Sequence, residues 1–185
     1  EREENRVSFK PGNMLYPLPA VMVSCGEYGG RSDIITVAWT GTVCSDPAMV
    51  YISVRSSRFS HDIIRDTGEF VINLVDQKLT RSMDLCGVKS GRDVDKFADF
   101  TDCERGENGI MRITKGTNAW ISCTVRDMMD LGSHTMFLCD IDDMEVMSDV
   151  PSVTYDYYQS NIKPKPQPAG KAAQGKTIWR CKVCG

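Results

Sequence analysis

The chain has 185 residues, 41% hydrophobic and 25% charged, with a formal net charge of −3. That is enough for one domain with its own core and the balance of a soluble globular protein. The slightly acidic total argues against a general nucleic-acid binder, and no apolar run reaches the roughly 20 residues of a membrane-spanning helix.

The opening, EREENRVSFK, is acidic and polar and does not read as a signal peptide. A cytoplasmic protein with free thiols is expected, and six of the eight cysteines (25, 44, 86, 103, 123 and 139) are scattered singly. Residues 13–25, NMLYPLPAVMVSC, are punctuated by proline and then read as a strand over 20–25. Residues 33–38, DIITVA, are β-branched and read as a buried strand. They run into Trp39, Thr40, Gly41, Thr42 and Val43, where the glycine suggests a close approach of the backbone to something.

The stretch 46–60, DPAMVYISVRSSRFS, predicts a turn, a strand, a polar turn and a helix start. Val50, Ile52 and Val54 share one face of the strand, and Met49, Tyr51, Ser53 and Arg55 share the other. Arg55, Ser57, Arg58 and Ser60 then gather hydroxyls and guanidiniums where a helix begins at His61. A phosphate monoester is bound by such groups together with the free N–H groups of a helix start. The same residues also fit a serine N-cap, at 57 or 60, beside solvated arginines.

A helix is expected over 61–66 with Gly68 as its C-terminal cap, then a strand over 69–75, EFVINLV, with Asn73 facing away from Phe70, Ile72 and Leu74. A helix over 77–86 should stop at Gly87. The basic loop GVKSGR carries Lys89 and Ser90, and Asp93 should cap a helical turn through Lys96. The Walker spacing fails in this loop, yet its cations and N–H groups suit a phosphate nest as well as a solvated surface. Residues 102–117 are polar, glycine-rich and not assigned. Two long strands over 119–129 and 135–146 flank a turn holding His134. Many strands and few short helices predict a mainly β fold, a closed antiparallel barrel with helical insertions.

After residue 162 the composition shifts. Residues 163–176, KPKPQPAGKAAQGK, read as an extended tether between a domain over 1–162 and a terminal piece over 177–185. Cys181 and Cys184 have the spacing of half a tetrahedral metal site. Three readings stand: a fragment lacking its second cysteine pair, one pair from each of two chains, or a redox-cycling dithiol.

The run 13–146 resembles the flavin reductase-like, flavoredoxin-type family of FMN-binding split β-barrels. The resemblance rests on NMLYPLPAVMVSC, TVAWTGTVCSDPAMVYISVRSSRFS, GEFVINL, CGVKSGRDVDKF and LGSHTMFLCDI. The tail TIWRCKVCG resembles the first metal-binding knuckle of rubredoxin, so the chain looks like a flavin reductase–rubredoxin fusion cut inside its second part. The resemblance implies a homodimer that binds FMN, with Arg55, Ser57, Arg58, Ser60, Lys89, Ser90 and Lys96 at the phosphate. It places Trp39, Thr40, Gly41, Thr42 and Val43 along the isoalloxazine, Asn73 within reach of the flavin, and His134 near the face where a nicotinamide stacks. NADH or NADPH would be the donor, and an electron-acceptor protein of the rubredoxin type or a diiron flavoprotein the partner. Iron would bind at Cys181 and Cys184 only in a complete rubredoxin domain. The alternative is an FMN-binding electron-transfer module without NAD(P)H activity of its own. A third reading is a barrel for another phosphorylated ligand or a partner protein.

Overall fold

Alternation of apolar and polar side chains is clearest over residues 48–55. Val50, Ile52 and Val54, two residues apart, are all buried, while Tyr51, Ser53 and Arg55 between them are half-buried. The computed structural model describes residues 10–162, apart from positions 14, 16 and 101. The expected linker over 163–176 and terminal segment over 177–185, with Cys181 and Cys184, lie outside the described residues.

Nine strands are described: β1 Val21–Cys25, β2 Asp33–Val37, β3 Thr40–Ser45, β4 Ala48–Arg55, β5 Glu69–Val75, β6 Cys103–Arg105, β7 Met111–Ile113, β8 Thr117–Asp130 and β9 His134–Val146. The helices are α1 Phe59–Thr67, α2 Thr80–Val88 and α3 Tyr155–Asn161, with 3-10 turns at Gln77–Leu79 and Lys96–Asp99. Seven strands form one antiparallel sheet in the order β2-β1-β5-β8-β9-β4-β3, and β6 pairs with β7 as a separate hairpin.

The long β8–β9 ribbon is the spine. The first half of β8 pairs with β5, from Thr117 opposite Val75 to Thr124 opposite Glu69. The first half of β9 pairs with β4, from His134 opposite Arg55 to Asp140 opposite Met49. Two wings therefore hang on the ribbon, β2-β1-β5 on one side and β4-β3 on the other. Val21, Val23, Ile35 and Val37 from the first wing share one core with Val50, Ile52 and Val54 from the second, so the sheet curls until its ends face each other. Ile63 and Ile64 of α1 enter the same core. The other face of the first wing, with Met22, Ile34 and Val75, is covered by Met83 and Cys86 of α2, Phe97, and Tyr155 and Tyr158 of α3. That double coverage buries all five residues of β1, which explains its unbroken apolar run. Each large side chain so buried contributes about 1.5–3 kcal/mol.

The mainly β fold with helical insertions is the architecture expected from the sequence, and β4 and β5 have the expected bounds, but the expected closure is not made by strand pairing: β2 and β3 are the outer strands, each laddered to one neighbour among the described residues. Several local details differ. Helix α1 starts at Phe59, two residues early, and its N-cap position is Arg58, without a side-chain cap bond. Neither Ser57 nor Ser60 caps it. Gly68 does close it, with φ of 73° and its N–H on the Ile64 carbonyl. Gly87 does not stop α2; it is buried inside that helix, which runs on to Val88. Asp95, not Asp93, caps the turn that holds Lys96, accepting from the Phe97 N–H at 3.0 Å. Residues 40–45 form an edge strand, and the unassigned stretch folds into the β6–β7 hairpin.

Candidate functional site

The curl of the sheet leaves a cleft between the outer edge of β2 and the end of β4. Among the described residues β2 ladders only with β1, and Ile35, Thr36, Val37, Ala38 and Trp39 line one side of the cleft. Ser53, Val54 and Arg55 of β4 and Arg58 line another, with His134 at the start of β9 and Tyr155 and Tyr158 of α3 completing it. Strand edges of this kind carry unpaired N–H and C=O groups.

Arg55 stands directly opposite His134 in the β4–β9 register. The His134 imidazole is buried, has its Nδ1 2.8 Å from Ser133 Oγ, and lies 4.6 Å from the Trp39 ring at a tilt of 36°. Burial first, and the Arg55 charge second, hold its pKa below the usual 6.5, so the ring is neutral at pH 7. The turn after β4 is closed by the Arg58 N–H on the Arg55 carbonyl at 3.0 Å. Ser56 and Ser57 are exposed in that turn. The basic loop folds against it through Arg92. Its guanidinium donates to the Ser57 carbonyl and to Asp62 Oδ2, both at 3.1 Å, and lies 5.3 Å from the centre of the Phe59 ring. Ser90 accepts from the Arg92 N–H at 3.2 Å, and Lys89 is exposed beside it.

The residues expected at a ligand thus divide. Trp39, Arg55, Arg58 and His134 line the cleft, with Ser57, Lys89 and Ser90 in the turn and loop next to it. Of the others, Thr40, Ser60, Asn73 and Lys96 have side chains engaged elsewhere. Ser60 is fully buried and donates to Asp33 Oδ2. Lys96 is buried in the same cluster, its ammonium 3.0 Å from Asp33 Oδ1 and bonded to the Ile34 carbonyl at 2.8 Å and the Cys86 carbonyl at 3.3 Å. The loop packs on this cluster so closely that a Cβ on Gly91 would lie 2.4 Å from Asp33 Oδ1. Asn73 is buried in the sheet, where its Nδ2 donates to the Met22 carbonyl at 3.0 Å and to Ser24 Oγ at 2.9 Å, and its Oδ1 accepts from the Ile113 N–H at 3.0 Å. Those bonds tie β1, β5 and β7 together and leave the side chain inside the sheet.

Thr40 donates to the Tyr51 carbonyl at 2.7 Å. The close approach at Gly41 is to the Tyr51 ring, 3.1 Å from where a Cβ would sit. Thr42 and Val43 are exposed on β3. Sequence reasoning missed Asp33, Arg92, Tyr155 and Tyr158. Asp33 did leave a signal, a carboxylate opening an otherwise apolar strand. The buried thiols are held protonated: burial pushes Cys25 and Cys123 far up and Cys139 up to about 12. Among the described residues no cluster of three histidine, cysteine or acidic side chains could hold a metal.

The donor set suits a flat ligand with an anionic tail: two arginines, a strand edge, and an indole lying against an imidazole all line the cleft. Residues 13–165 match the family model described as flavin reductase like domain. The chain is 26% identical over 153 residues to the high molecular weight rubredoxin of Moorella thermoacetica, covering 77% of this chain and 66% of that one, just under two thirds of its length. It is 26% identical over 137 residues to the ferric-chelate reductase (NAD(P)H) of Archaeoglobus fulgidus, covering 73% of this chain and 76% of the relative. The solved flavoredoxin of Desulfovibrio vulgaris (Miyazaki F) superposes with a TM-score of 0.68 at 26% identity, covering 77% of this chain and 76% of that structure.

Proposed function

Since the chain belongs to the flavin reductase-like family, we propose that its cleft binds FMN and that the protein is an oxidoreductase taking electrons from NADH or NADPH. The observation that carries this reading is that Arg55 and Arg58 both line a cleft walled by the outer strand β2. The phosphate would be held by Arg55, Ser57 and Arg58, with Lys89 and Ser90 from the loop that Arg92 latches. Ser60 and Lys96 support it from inside, through Asp33. The backbone of residues 35–39, rather than 40–43, would face the polar edge of the ring system. Bound FMN supplies two-electron and one-electron redox chemistry, and the protein supplies binding, orientation and electrostatics.

His134 is the candidate catalytic side chain. Its neutral imidazole, oriented by Ser133 Oγ and flanked by Trp39, places no cation beside an incoming nicotinamide. The NAD(P)H donor follows the name of the Archaeoglobus relative, and the Moorella relative's name supports an acceptor of the rubredoxin type, a diiron flavoprotein being the other acceptor class. Cys181 and Cys184 would be half of that acceptor's metal site, on a terminal piece over 177–185 joined by the 163–176 linker to the 1–162 domain. Met128, Met129 and Leu131, exposed around the β8–β9 turn beside His134, suit the interface of a homodimer. No helix among the described residues is long and apolar enough to cross a membrane, and we place the protein in the cytoplasm. A second reading, an FMN electron-transfer module fed by a separate reductase, draws on the Trp39 indole lying against His134, which would narrow the room for a nicotinamide beside that imidazole.

The test is the anaerobic visible spectrum of the protein with added FMN, followed by NADH and then NADPH. Bound-flavin bands that bleach support the reductase. Bands that form and persist support the electron-transfer module. The absence of bound flavin removes both readings.

A further inference from the structure

His61 is buried beside the cleft but does not line it. Its Nε2 is 2.9 Å from Thr135 Oγ1, its Nδ1 is 3.3 Å from Asp62 Oδ1, and its ring meets Phe137 edge-on at 5.5 Å. Thr135 follows His134 on β9 and pairs with Val54, whose neighbour Arg55 pairs with His134. Asp62 in turn accepts from Arg92, the side chain that also holds the Ser57 carbonyl. Arg65 lies 3.2 Å and Arg31 4.0 Å from the same carboxylate. One polar chain, Arg92–Asp62–His61–Thr135, therefore runs behind the Ser56–Ser57–Arg58 turn and ends next to His134.

We propose that His61 is a positioning residue that couples the phosphate turn to His134; the ligand half of this inference rests on the FMN reading above. The bonding has a definite polarity. An ionised Asp62 only accepts, so Nδ1 carries the proton and donates to it. In the neutral form that we assign to His61, Nε2 is left as an acceptor and the Thr135 hydroxyl donates to it. This arrangement needs a neutral ring in one tautomer, and it fixes the rotamer of Thr135 as well as the pose of His61. Helix α1, which carries the arginine turn at its start, is thereby bolted to the first residues of β9 across the Arg55–His134 pair. Anything that pulls on the turn is felt at His134, with no contact between His134 and the phosphate required.

The chain holds only two histidines, so a protein labelled with nitrogen-15 in histidine shows two imidazoles and no others. The spectrum without flavin should show His61 as the Nδ1–H tautomer. Thr135→Val keeps the shape and removes the hydroxyl. It should shift the His134 ring resonances and weaken FMN binding about two- to tenfold, the effect of one net hydrogen bond, while Thr135→Ser restores both. An Nε2–H tautomer or a doubly protonated ring at His61, or a Thr135→Val protein with unchanged His134 resonances, overturns the inference. The tautomer and Thr135→Ser readings stand even if Thr135→Val does not fold. A protein that shows the expected tautomer and the His134 response but binds no FMN keeps the His61 coupling and refutes the cofactor assignment instead.

Discussion

Arg58 and Ser60 are two residues apart and lie on opposite sides of one helix start. Arg58 faces the cleft with Arg55 and His134. Ser60 faces inward to Asp33 and Lys96, both almost fully buried. The inner cluster is turned on itself: Lys96 is met by a carboxylate and two backbone carbonyls, and Ser60 meets the same carboxylate, whose Oδ1 has no hydrogen bond and faces the Lys96 ammonium at 3.0 Å. The outer one has arginines in the cleft lining and exposed hydroxyls in the adjoining turn. Both look like ligand sites in a residue list. Burial separates the one that holds the fold from the one that can hold a ligand.

The sharpest way to break this contrast is to remove a charge from the inner cluster. Lys96→Met leaves the Asp33 carboxylate buried without its cation, and urea unfolding should show a loss of about 3–5 kcal/mol. Replacing Asp33 by Asn together with Lys96 by Met should recover part of that loss, because the lone charge is gone. A single variant as stable as the parent would mean that the cluster is not a structural ion pair. Asn73→Leu comes next. It orphans the buried Ile113 N–H, so it should cost about 1–3 kcal/mol in the same assay. FMN affinity measured well below the melting temperature should not change, and a large drop would return Asn73 to the ligand.

The smallest effect concerns His134. Its folded-state pKa is depressed, so the unfolded chain binds its proton more readily. Its contribution to stability is present above the ordinary value of 6.5 and fades as pH falls from there through the folded-state pKa. The His134→Gln variant should therefore lose less stability than the parent as pH is lowered through that window. An NMR titration of the parent should place the His134 midpoint below 6.5, and a midpoint above it would contradict the neutral ring invoked at the cleft.

Local pattern made β4 legible, because alternating burial leaves a period of two in the sequence itself. Strand β5 is buried without a break from Phe70 to Asn73 and was legible by its alternating apolar side chains and flanking glycine, not by alternating burial. Strand β3 escaped it. An edge strand with Thr42 and Val43 both exposed has no such alternation to read. The two serines of the arginine turn show the same limit at the site. Nothing local says that Ser60 turns inward while Ser57 stays in solvent. The partner that decides it, Asp33, is 27 residues away, and the cation that completes the cluster is 63 residues from Asp33. Asn73 was legible as a polar residue facing away from Phe70 and Ile72. That its other side is also covered, by β7, was not, since the stretch containing β7 has no clear period.

The central claim is that the outer cluster, and not the inner one, holds a flavin phosphate. The most direct test is a fluorescence titration of FMN into the parent and into Arg58→Ala, with melting temperature measured on both. Removing one charged hydrogen-bond donor should weaken binding by about 1.5–3 kcal/mol, roughly 10- to 150-fold, with little change in melting temperature. Equal FMN affinity in the two proteins would contradict the account.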